Sequence, residues 1–179
     1  MKKIRSIILI SLASASFNAI AVDSVSLEGG HGERVDVARV GLQWDWNKQW
    51  FPAYGWHLGG YWDVSAGILH GRSGSPVNND VADISVTPTL RYQQTDLTTL
   101  APYFEVGMGA HLWSRNTITA DKRSGTAFVF GDHVGIGLRF GERGIYDLGY
   151  RFQHLSNASI RAPNPGMNLH LVRFQIHFN

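Results

Sequence analysis

Cysteine is absent from the 179 residues, which excludes a disulfide scaffold, a thiolate metal site and a cysteine nucleophile. Charge is sparse: charged residues make up 17% of the chain, while aromatic residues reach 12% and include six tryptophans. Disordered segments and nucleic-acid-binding surfaces have the opposite balance, so the composition argues against both. Although 44% of the residues are hydrophobic, no apolar run approaches the ~20 residues of a membrane-crossing helix. Proline is scarce, six residues against 20 glycines, and the glycines follow no collagen period. A single domain is the expectation for this length.

The basic pI, near 9.0, has a local origin. Lys2, Lys3 and Arg5 precede a short apolar stretch from Ile7 to Leu12, and Ala19-Ile20-Ala21 forms a small-x-small cleavage signal. This is the pattern of a secretory leader, too short in its apolar part for an anchor. Residues 1–21 are expected to be cleaved, leaving 22–179 as the mature domain. Removing the leader's three cations from 16 Lys and Arg leaves 13, against 14 Asp and Glu. The mature chain is near neutral, so the pI carries no information about partners.

From residue 22 onward the sequence alternates between apolar and polar residues with the period of a β-strand. Seven such runs stand out, at 37–46, 56–68, 84–92, 104–112, 128–140, 146–153 and 172–178, with a weaker first strand around Val25 and Leu27. Turn signals separate them, among them Asn47 to Pro52, Gly71 to Asn79, Gly141-Glu142-Arg143-Gly144 and Pro163-Asn164-Pro165-Gly166. The expected fold is all-β: an eight-stranded antiparallel transmembrane β-barrel, with strands of bilayer-crossing length.

Alternation alone leaves open which face is buried, because a soluble lipocalin-like barrel shows the same period. Two features favour a barrel with its apolar face on lipid. The polar set carries both charge signs (Arg39, Asp63, Arg91, Glu105, Asp147, Arg151), which can pair across a narrow lumen. Glycines gather in the same set, including Gly107, Gly109, Gly135, Gly137 and Gly149, where they would relieve crowding. His57, His111 and His177 share this parity and are expected to be hydrogen-bonded interior groups. An even strand number puts both termini on the periplasmic side and the segments 71–80, 114–124 and 157–166 outside the cell.

On two neighbouring strands the apolar face turns polar. Tyr146, Leu148, Tyr150 and Phe152 continue into His154 and Ser156, and Phe178, Ile176, Phe174 and Val172 run back to His170 and Asn168. Polar groups facing lipid are costly unless paired or functional. Two apart on one strand face, His154 and Ser156 are side-chain neighbours about 7 Å apart, the relation of a base to a serine nucleophile. Asn168 or His170 would then lie alongside to orient the imidazole. A polar rim beside lipid headgroups is the bland alternative.

The stretch His154-Leu155-Ser156-Asn157-Ala158, followed by Pro163-Asn164-Pro165-Gly166, resembles the signature of the lipid A 3-O-deacylases of the PagL type. The region Trp44-Asp45-Trp46 with Gly60-Tyr61-Trp62-Asp63 is similar to theirs as well, and the likeness spans essentially the whole mature chain. The resemblance implies an outer-membrane hydrolase that removes the ester-linked acyl chain at position 3 of lipid A, with a site on the outer wall of the barrel. It implies Ser156 as nucleophile, His154 as general base, and Asn157 with the backbone N–H of Ser159 as oxyanion donors. Family members often carry glycine where Ser159 stands, and a glutamate where this chain has Asn168. No carboxylate occurs from Arg151 to Asn179; an asparagine carbonyl can fix the imidazole tautomer but does little for the imidazolium.

Lipid A or lipopolysaccharide is thus the expected substrate, with no metal, no cofactor and no nucleic acid. Lipid-facing aromatics also suit a second copy of the chain, which leaves room for a homodimer. The alternatives are a non-catalytic outer-membrane barrel with a structural or adhesive role, and a secreted ligand-binding barrel.

Overall fold

A computed structural model describes residues 21–72, 77, 79–97 and 100–178; residues 1–20 of the expected leader lie outside the described residues. Nine strands follow in order: β1 (Ser24–Gly32), β2 (Val35–Asp45), β3 (Trp50–Ala53), β4 (Trp56–Gly71), β5 (Asp80–Gln94), β6 (Ala101–Trp113), β7 (Phe128–Phe140), β8 (Tyr146–Ser156) and β9 (Met167–His177). Eight of them are staves. Each pairs antiparallel with its sequence neighbours, β2 joins β4, and β1 closes the cylinder against β9. The ninth, β3, is a short flap that pairs only with β4, at Trp50↔Leu58 and Ala53↔Trp56. It occupies part of the stretch expected to be a plain turn. The start of β1, the end of β9 and the described residues after β2, β5 and β7 lie at one end, here the terminal end. The described residues after β1, β4, β6 and β8 form the opposite rim.

The polar face points inward. Phe104 is 59% exposed and Glu105 beside it 4%, and the same alternation runs along every stave. Five buried arginines (Arg39, Arg91, Arg139, Arg151, Arg173) are matched by five buried carboxylates (Glu28, Asp63, Asp83, Glu105, Asp147). Glu105 is the hub: its Oε2 accepts from Arg91 and from the Tyr61 hydroxyl, both at 2.7 Å, and its Oε1 accepts from Arg151 Nε at 2.6 Å. Arg91 also reaches Asp147 at 2.7 Å and lies over the Tyr103 ring. Charges this deep persist only when paired and hydrogen-bonded. His57, His111 and His177 point into the lumen as expected, with His111 on Asp83 at 3.0 Å, His57 on Thr95 at 2.9 Å and His177 3.5 Å from Asp147. Crowding explains the inward glycines: a Cβ on Gly137 would collide with the Tyr103 hydroxyl, and one on Gly107 with the His133 ring.

Towards the rim the lining changes character. Val35, Val37, Leu69, Val81, Trp113, Val129, Leu155, Met167, Leu169 and Leu171 all point inward and are buried together with Ile118 from the β6–β7 connection. Ile118 is held over the mouth by a hydrogen bond from the Asn79 N–H to its carbonyl, 2.9 Å. The interior is therefore ion-paired through the middle and apolar under the rim. On β8 and β9 the outer wall inverts at that same level, from apolar to polar.

Candidate active site

The polar patch on the outer wall rests on β8 and β9. Their antiparallel register sets His154 directly opposite Asn168 and Phe152 opposite His170. His154 Nδ1 lies 2.7 Å from Asn168 Oδ1. An amide oxygen can only accept, so Nδ1 carries the proton and Nε2 keeps its lone pair. That is the tautomer a general base needs. His170 is engaged elsewhere: its Nδ1 is 2.7 Å from the Tyr150 hydroxyl, and its ring lies near those of His31 and Phe152. Of the two residues that could orient the imidazole, the one in place is Asn168.

Ser156 stands two residues beyond His154 on the same face and lines a cleft with Trp113, Lys122, Arg123, Asn164 and Gly166. Among the described residues no hydrogen bond joins Ser156 to His154; a serine–histidine bond is often loose without substrate. The two side chains are fixed from behind. Leu155, between them in sequence, is 1% exposed and embedded in the apolar plug, as are Met167 and Leu169 on either side of Asn168.

The Asn157 side chain is engaged within the connection that follows β8. It is fully buried, and its amide donates to the Arg161 carbonyl at 2.7 Å and to Ser124 Oγ at 3.2 Å. Its backbone N–H goes to Asn164 Oδ1 at 2.9 Å. These bonds shape the 157–166 connection. Ser159 is exposed at the start of that connection in the left-handed region, φ 61°, directly after Ala158 at φ 50°.

Gly166 closes the site from above. Its φ is +67°, and an added Cβ would stand 2.9 Å from His154 Cε1 and 3.3 Å from Nε2. Its carbonyl faces Lys122 Nζ at 3.4 Å, and Lys122 also binds Glu33 at 2.9 Å, a latch between the β1–β2 turn and the β8–β9 connection. The hydrogen bond from Lys122 holds the Glu33 carboxyl below its ordinary range. Gly166→Ala combines a strained backbone with a methyl group against the imidazole. It is expected to lower the turnover of any reaction that uses His154 about tenfold or more while the barrel still folds, as read by steady-state kinetics beside a heat-modifiability gel.

One outward residue escapes a reading of β8 and β9 alone. On its other side His154 faces Asp132 of β7. The signal was a carboxylate interrupting the apolar face Phe128, Phe130, Val134 and Ile136. Among the described residues no group of histidines and carboxylates could hold a metal ion.

The model of the lipid A 3-O-deacylase (PagL) family matches residues 36–177. The chain is 30% identical to the lipid A deacylase PagL of Pseudomonas aeruginosa over 178 residues, 98% of this chain and 99% of that one. It is also 30% identical to the lipid A deacylase PagL of Bordetella bronchiseptica, over 99% of this chain and 96% of the relative. A crystal structure of the outer membrane enzyme PagL superposes with a TM-score of 0.76 at 27% identity, covering 87% of this chain and 99% of the other. An inside-out barrel with an apolar outer belt agrees with these likenesses: the chain belongs to the lipid A 3-O-deacylase (PagL) family and is an outer-membrane β-barrel.

Proposed function

We propose that this protein is an outer-membrane esterase that hydrolyses the 3-O-linked acyl chain of lipid A, working from the lipid-facing wall of the barrel in the outer leaflet. The observation that carries this reading is the His154–Asn168 hydrogen bond, which leaves Nε2 basic on the same face as Ser156. Ser156 Oγ attacks the acyl carbonyl as His154 Nε2 takes its proton. Collapse of the tetrahedral intermediate breaks the ester C–O bond, and the imidazolium gives the proton to the departing sugar oxygen. A water molecule, deprotonated by the same nitrogen, then splits the acyl-serine and frees the fatty acid. The backbone N–H of Ser159 is the proposed oxyanion donor, with Asn157 shaping the turn that presents it. The leader at 1–21 would deliver the chain beyond the inner membrane.

Lipopolysaccharide incubated with the purified protein in detergent should lose one acyl chain, read as a mass decrease in lipid A together with a released fatty acid. Unchanged lipid A would overturn the proposal in favour of a structural barrel. Asn168→Glu tests the third position directly. A carboxylate there should raise kcat several-fold by stabilising the imidazolium, with KM unchanged.

A further inference from the structure

Outward-facing carboxylates are rare on this barrel. Among the described strand residues there are three: Asp36, Asp80 and Asp132. Asp36 and Asp80 lie at the rim with partners, Arg72 at 3.4 Å and His70 at 2.6 Å. Asp132 differs on both counts. It is the fifth residue of β7, flanked on its own face by Phe130 and Val134, and among the described residues no cation pairs with it. An unpaired charge on a lipid-facing wall is costly and marks a functional position.

Its neighbour gives that position a use. The register makes Asp132 the direct cross-strand partner of His154, which brings their Cβ atoms to about 5 Å. Asn168 holds the imidazole from the β9 side, so His154 stands between an amide and a carboxylate. The other polar groups around it do not duplicate that charge. His170 is bonded to Tyr150, and Glu33 is tied to Lys122. On the outward faces of β7, β8 and β9, Asp132 is the one acid among the described residues.

We propose that Asp132 is a positioning residue for the deacylation assigned to Ser156 and His154, and that it supplies the negative charge missing at position 168. The inference rests on that functional reading. The two duties of a triad's third member are divided here: the Asn168 carbonyl fixes the tautomer, and the Asp132 carboxylate stabilises the imidazolium through space. At this separation, on a wall with lipid on one side, the attraction is far less screened than in bulk water. It acts only after His154 has accepted the serine proton, so it lowers the barrier without tightening ground-state binding.

The test is a set of five proteins assayed on lipopolysaccharide: wild type, Asp132→Asn, Asp132→Glu, Asn168→Glu and the double variant Asp132→Asn/Asn168→Glu, with folding checked by heat-modifiable migration. Asp132→Asn should lower kcat at least tenfold and leave KM within about twofold, while Asp132→Glu keeps most of the rate. Asn168→Glu should help far more in the Asp132→Asn background than in the wild type, returning the double variant to near the wild-type rate. A purely structural aspartate would not be rescued by a carboxylate on the opposite strand. Full activity in Asp132→Asn, or equal gains from Asn168→Glu in both backgrounds, would overturn the proposal while leaving the serine mechanism standing. Lipid A left intact by the wild-type protein would overturn both.

Discussion

Ser156→Ala is expected to abolish the release of fatty acid from lipopolysaccharide, lowering kcat by a factor on the order of 10³ or more. Without the hydroxyl there is no acyl acceptor, and the remaining groups supply only orientation and polarity. His154→Ala should be as severe, and the double variant no worse than either, because nucleophile and base act as one unit. None of these changes should harm the barrel. Both side chains lie on the outer wall, apart from the ion pairs of the lumen and the plug behind Leu155. Heat-modifiable migration should match the wild type while mass spectrometry finds lipid A intact. Wild-type release by Ser156→Ala would end the serine mechanism.

The second large effect is on stability. Glu105→Ala removes the acceptor shared by Arg91, Arg151 and Tyr61 and leaves two guanidinium groups in the barrel interior short of countercharge. Breaking a buried ion pair from one side costs about 3–5 kcal/mol, and this carboxylate serves two arginines. The cost should appear as a lower urea midpoint for unfolding in detergent or lipid, larger than for Glu33→Ala, whose carboxylate is exposed at the rim. Equal midpoints for the two variants would mean that water reaches the lumen freely. Among the described residues the five buried arginines are matched by five buried acids, so the buried lining has no net charge to select an ion.

The period-two pattern made the barrel legible because every side chain on a strand goes to one of two faces. Once Phe104 and Glu105 are assigned to opposite sides, the rest of β6 follows, and the glycine–arginine set identifies the lumen. The same rule put His154, Ser156 and Asn168 on the outer wall. Asp132 was hidden because its importance lies in the register between β7 and β8, which the chain fixes only on closing the cylinder. The apolar plug was hidden for a related reason: Val35 of β2, Leu69 of β4, Trp113 of β6 and Leu155 of β8 are spread along the chain and meet only at the rim. The β3 flap depends on Phe51 and Tyr54 adopting positive φ, 53° and 51°, an unusual choice for bulky residues that composition does not announce.

The plug has a pharmacological consequence. Stoppered with leucine and valine and wired with salt bridges further down, the barrel offers, among the described residues, no internal route to His154. Any small molecule meant to block that group must arrive sideways, after dissolving in the surrounding leaflet. Its potency would then follow its bilayer partition coefficient as closely as its fit, and a water-loving compound of perfect shape would be inert.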